Sequence, residues 1–105
     1  MLILYKDLAT YFCGIPFNLV AAGLLLTMVA TVCQLEPDEI IYNIADTHIY
    51  KNHLDAFAKQ FTQQSYKLPK LIINKKITNI NDFTFQDFEL VDYVSSDVIK
   101  AEVAI

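Results

Sequence analysis

Arginine is absent from this chain, and so is tryptophan. All eight basic residues are lysines, set against 12 acids for a net charge of −4. A guanidinium supplies the planar, two-pronged donor set that recognises phosphate and carboxylate, whereas an ammonium supplies a point charge. A phosphate site built from these residues alone is weak. The acidic balance argues against a nucleic-acid partner, the nearest basic cluster being Lys67, Lys70, Lys75 and Lys76. Glycine (two) and proline (three) are scarce, and 54% of residues are hydrophobic, a globular composition with no disordered tail, repeat or low-complexity stretch. At 105 residues the chain forms one domain at most, spanning 1–105.

Charge is also missing over one long run, from Leu8 to Leu35. About 20 apolar residues suffice to cross a bilayer. Against that reading, Pro16, Asn18, Thr27, Thr31 and Gln34 interrupt the run, and neither flank carries a basic cluster. Thr27, Thr31 and Gln34 recur at helical spacing with Gly23 a turn earlier, giving one less apolar stripe. A helix apolar on nearly every side, followed by some 70 residues able to pack around it, is expected to be the buried core helix of a soluble protein. Cys13 and Cys33 bracket it, roughly 25 Å apart along a helical axis and beyond disulfide reach. No His or Lys adjoins either in sequence, so both read as small apolar fillers in a reducing, cytoplasmic setting.

The remaining pattern predicts an α+β order. LILYKDLATYF (2–12) reads as a strand ending before Gly14, and Pro16 suits the first turn of a helix running to about Gln34. Residues 39–50 read as a strand apolar on both faces, and 51–64 as a short amphipathic helix with Leu54, Phe57, Ala58 and Phe61 at helical spacing. Strands are expected around 68–77 and within 82–94, joined by a turn and followed by a C-terminal arm.

Two places suggest chemistry. In a strand, residues two apart share a face about 7 Å from one another, so His48 and Tyr50 could grip one hydroxyl between imidazole and phenol; they could equally fill a core or an interface. His48 and His53, five apart across a strand-to-helix junction, bring no third ligand at zinc-like spacing, and no metal site is expected. Asn18 puts a carboxamide in the first turn of an apolar helix, where it must find partners or cost about 1–3 kcal/mol. It could cap or bond backbone. Its acceptor and donor, side by side, also match the O4 acceptor and N3 donor of a uracil ring.

GIPFN (14–18), DTHIYKNH (46–53), LPKLII (68–73) and the terminal IKAEVAI, in that order, closely resemble the thymidylate synthase family, over roughly the last two fifths of its usual domain. The resemblance implies part of the thymidylate synthase-like fold, a mixed β-sheet packed on a long buried helix, in a soluble homodimer and not in a membrane. It implies that Asn18 reads the uracil edge of deoxyuridylate (dUMP) and that His48 and Tyr50 bind the deoxyribose 3′-hydroxyl. Ile105 would end an arm whose carboxylate closes over the cofactor, 5,10-methylenetetrahydrofolate. The family reaction is reductive methylation of dUMP to thymidylate.

Departures from the pattern bear on activity. The family's nucleophilic cysteine belongs to a Pro-Cys-His segment not found in these 105 residues. Lys6-Asp7-Leu8 stands where Gln-Arg-Ser is usual, so that Asp7 replaces a phosphate-binding arginine, and Thr10 stands in place of an aspartate. Two expectations follow. The chain is a C-terminal segment of such an enzyme, from a truncated, split or decayed gene, and is silent alone for want of a nucleophile; alternatively, it is a noncatalytic dimerisation or interaction module of the same fold. Its partner would be a second copy or the missing N-terminal portion, and poor solubility is expected without one.

Overall fold

A computed structural model describes residues 1–102. Strand β1 (Leu2–Thr10) leads through a tight turn into helix α1 (Ile15–Cys33), and strand β2 (Ile40–His48) returns parallel to β1. A 3₁₀ turn (Lys51–His53) opens helix α2 (Leu54–Phe61). Strands β3 (Lys70–Ile73) and β4 (Phe88–Val91) then pair antiparallel.

Gly14 makes the β1-to-α1 turn possible. A Cβ there would lie 2.7 Å from Thr10 Oγ1 and 3.0 Å from the Thr10 carbonyl oxygen, so no larger residue fits without moving the main chain. Pro16 then occupies the first turn, where a missing N–H costs nothing. At the other end Gln34 takes a left-handed conformation (φ 58°), and the Leu35 N–H reaches back to the Ala30 carbonyl at 2.8 Å. This is the six-to-one closure usually given to glycine.

The polar stripe on α1 is satisfied within the helix. Thr27 Oγ1 donates to the Gly23 carbonyl and Thr31 Oγ1 to the Thr27 carbonyl, both at 2.8 Å. Such back-bonding lets a threonine face an apolar neighbour without an unpaired hydroxyl.

Two expectations about packing are corrected. The strands form two separate two-stranded sheets, not one mixed sheet, because β3 and β4 bond each other and neither adds to the β1–β2 edge. Helix α1 is mostly exposed, not buried: along it only Ala22 and Ala30 are withdrawn from solvent, while Phe17 and Val20 are 77% and 72% exposed. The reason is geometric. Two strands about 5 Å apart cover one stripe of a helix some 10–12 Å across, and α1 is apolar on every side. By length and composition α1 could cross a membrane.

Among the described residues the buried apolar set is Ala9, Ala22, Ala30 and Ile77. The radius of gyration is 16.1 Å, against about 13 Å for a compact domain of this length. The open outer face of β1–β2 displays Ile3, Tyr5 and Ile41.

Element lengths also depart from the pattern. Within 82–94 the strand is only four residues long, because the Asp87 carboxylate ties back to Thr84, accepting from its N–H at 2.7 Å and its hydroxyl at 2.9 Å. Asp92 then turns left-handed (φ 60°) and ends β4. Those two hydrogen bonds, with Lys75 adding attraction, hold the Asp87 carboxyl below its ordinary pKa.

Candidate functional site

Strand β2 stops at His48, but the chain stays extended through Tyr50 (φ −66°, ψ 143°), so the period-two alternation carries the aromatic ring onto the imidazole. The ring centroids of His48 and Tyr50 are 5.2 Å apart and nearly edge to face. Both rings keep access to solvent, the His48 side chain at 28% and Tyr50 at 37%. His48 Nδ1 lies 3.5 Å from Asp46 Oδ1, on the same strand face. A neutral imidazole carries one donor and one acceptor nitrogen. Beside it the phenol can donate, so the pair offers a donor and an acceptor to one hydroxyl group.

The β1–β2 register sets Thr10 opposite His48, and the Tyr11 N–H donates to the His48 carbonyl at 2.8 Å. The turn at Gly14 therefore starts α1 beside the same sheet end that carries His48. Asn18 follows one helical turn later, its N–H bonded to the Gly14 carbonyl at 3.0 Å.

Half-buried, Asn18 lines a hollow of about 310 Å³ with Leu4, Lys6, Tyr42 and Leu25, in which neither His48 nor Tyr50 takes part. The structure thus brings two of the three expected substrate residues together and sets the third in a separate recess. Ile105 lies outside the described residues. Asp7 is exposed on β1, and Thr10 packs its hydroxyl against Gly14.

Sequence reasoning undervalued one residue here. His53 is 2% exposed, the one buried polar side chain among the described residues. Its ring lies 5.5 Å from that of Tyr50 and 5.8 Å from that of Phe12. Its Nε2 lies 2.6 Å from the Glu102 carbonyl oxygen, which also accepts from Asn52 Nδ2 at 3.3 Å. His53 and Asn52 thereby hold the C-terminal arm at Glu102, with the His53 ring beside Tyr50. The Asn-His dipeptide following His48 and Tyr50 was the signal available in sequence; spacing alone tested it as a metal ligand and nothing else. Cys13 also needs correction: it is exposed, no apolar filler, and its sulfur lies 4.0 Å from His53 Nδ1. Cys33 is likewise exposed and free.

Comparison with known proteins covers nearly the whole chain. The sequence model of the family described as Thymidylate synthase matches residues 2–105. A thymidylate synthase of Mycoplasma mobile is 47% identical over 102 residues, covering 97% of this chain and 35% of that relative. Those of Oenococcus oeni and of the aster yellows witches'-broom phytoplasma are each 42% identical over 97% of this chain, which covers 32% and 35% of them. The chain spans about a third of the length of these relatives.

Proposed function

Since the chain belongs to the thymidylate synthase family, we propose that it is the nucleotide-recognising C-terminal segment of such an enzyme, serving the reductive methylation of dUMP with 5,10-methylenetetrahydrofolate. In this reading His48 and Tyr50 hold the deoxyribose 3′-hydroxyl, Asn18 reads the uracil edge, and Ile105 closes over the folate. The observation that carries it is the His48–Tyr50 pair, two hydrogen-bonding rings 5.2 Å apart and open to solvent at the end of β2.

The chain supplies recognition and not the nucleophile. Cys13 and Cys33 are the cysteines present, and neither stands in a Pro-Cys-His segment. Asp7 would repel a nucleotide phosphate. In this reading the reaction needs a nucleophile-bearing segment in addition to these 105 residues.

Release of tritium from labelled dUMP in the presence of methylenetetrahydrofolate tests this. None is expected from the purified chain, and release is expected once it is co-expressed with the N-terminal two thirds of a full-length relative. Activity of the chain by itself, or a soluble co-assembly that stays inactive, would refute the reading.

A second reading, a noncatalytic module that pairs through its apolar faces, draws on the exposed Ile3, Tyr5 and Ile41 of the sheet and Phe17 and Val20 of α1. Exposed large apolar side chains on a sheet face and a helix mark candidate interaction sites. A stable complex with a full-length relative that forms without gain of activity would favour it.

A further inference from the structure

We propose that Cys13 is a reactive thiol, assisted by His53, that undergoes exchange with small, largely apolar disulfides. It is distinct from the family's nucleophile, which belongs to a segment absent from these 105 residues.

His53 is held by the C-terminal arm. A backbone carbonyl can only accept, so the 2.6 Å contact with Glu102 requires the proton on Nε2. In the neutral ring Nδ1 is then a lone pair, and it points at Cys13 Sγ, 4.0 Å away. Burial of the ring and the contacts with Phe12 and Tyr50 fix that orientation. A thiol, a base and a group that orients the base form the arrangement that activates a cysteine. Helix α1 begins two residues later, at Ile15, so the turn at Gly14 fixes the main chain on one side of Cys13.

Cys13 also opens onto a hollow of about 640 Å³. Phe12, Phe17 and Tyr93 give it aromatic walls, and the amides of Gln60 and Gln63 and the opposite charges of Asp97 and Lys100 line the rest. That lining suits an uncharged, aromatic-sized reagent.

In the exchange, the Cys13 proton passes to His53 Nδ1 and the sulfur attacks one sulfur of the disulfide. A new S–S bond forms as the reagent's own S–S bond breaks. The departing thiolate carries off that electron pair and takes up the proton from His53. The disulfide is the oxidant: the Cys13 sulfur is oxidised to the disulfide level as the departing sulfur is reduced to a thiol.

Cys33 is the internal control, since it is exposed in the last turn of the same helix while the His53 ring faces Cys13. The test follows dithiodipyridine reduction at neutral pH by the 105-residue chain carrying Cys33→Ser or Cys13→Ser. The thiol at 13 should react about tenfold faster than the thiol at 33. His53→Gln keeps an N–H able to reach the Glu102 carbonyl but removes the base; it should bring the rate at Cys13 down to that at Cys33. Should that variant fail to fold by circular dichroism, the ratio between the two single-cysteine chains decides by itself. Equal rates at the two positions would overturn the proposal, as would a folded His53→Gln chain that keeps the fast rate.

Discussion

Substituting the chain's two glycines should move stability in opposite directions. At Gly14 an added Cβ meets the Thr10 hydroxyl at 2.7 Å, the Thr10 carbonyl oxygen at 3.0 Å and the Thr10 nitrogen at 3.3 Å. The hydroxyl can rotate away. The two main-chain atoms move only if the turn opens, and one overpacked methyl costs about 1–3 kcal/mol. Gly14 is also the helix N-cap, where alanine is worse than glycine by several tenths of a kcal/mol or more.

At Gly23, inside α1, the nearest atom to an added Cβ is Ile40 Cδ1 at 4.0 Å, an ordinary contact. Gly23→Ala should gain about 0.5–1 kcal/mol from helix propensity. The two variants should therefore differ by roughly 2–4 kcal/mol, and since 1 kcal/mol moves Tm by about 4–8 °C in a domain this small, their melting curves should separate by roughly 10 °C or more. Circular dichroism during heating or urea titration reads this directly. A Gly14→Ala chain as stable as the parent, or a Gly23→Ala chain less stable than it, would refute the packing argument at the turn that positions Asn18.

Three further outcomes follow. Gln34→Gly should stabilise α1 by about 1 kcal/mol, because glycine takes the left-handed cap without a Cβ penalty; urea midpoints check it. Asp87→Asn should loosen the β3–β4 hairpin. Because the folded carboxyl has a lowered pKa, its contribution is fully present above the ordinary value of 3.8 and is lost as pH falls through the lower folded value, so parent and variant should converge in acid. Amide exchange in β3 and β4 at several pH values reads both effects. Alone and dilute, the chain should self-associate through the exposed faces of α1 and β1–β2, which light scattering detects; a clean monomer would contradict that.

How far the sequence carried differed by element. β1, α1 and β2 end within about two residues of their expected limits, because Gly14 and Pro16 act locally on the backbone. The His48–Tyr50 pairing was legible for the same reason, as period-two geometry is local. Burial of α1 was not legible, since it depends on how much surface the rest of a fold offers, and 105 residues offer a two-stranded strip to one side of it. The Cys13–His53 contact joins residues 40 apart in sequence, and no short-range pattern encodes it. β4 shortened because the Thr84–Asp87 tie and the left-handed Asp92 outweighed an alternation that suggested a longer strand.

The most direct test of nucleotide recognition uses the co-assembled enzyme and compares KM for dUMP with KM for its 3′-deoxy analogue. If His48 and Tyr50 grip the 3′-hydroxyl, Tyr50→Phe and His48→Ala should each raise KM for dUMP about tenfold, the worth of one hydrogen bond of roughly 1.4 kcal/mol, and leave KM for the analogue unchanged. Equal losses on both substrates would mean that the pair holds something other than that hydroxyl.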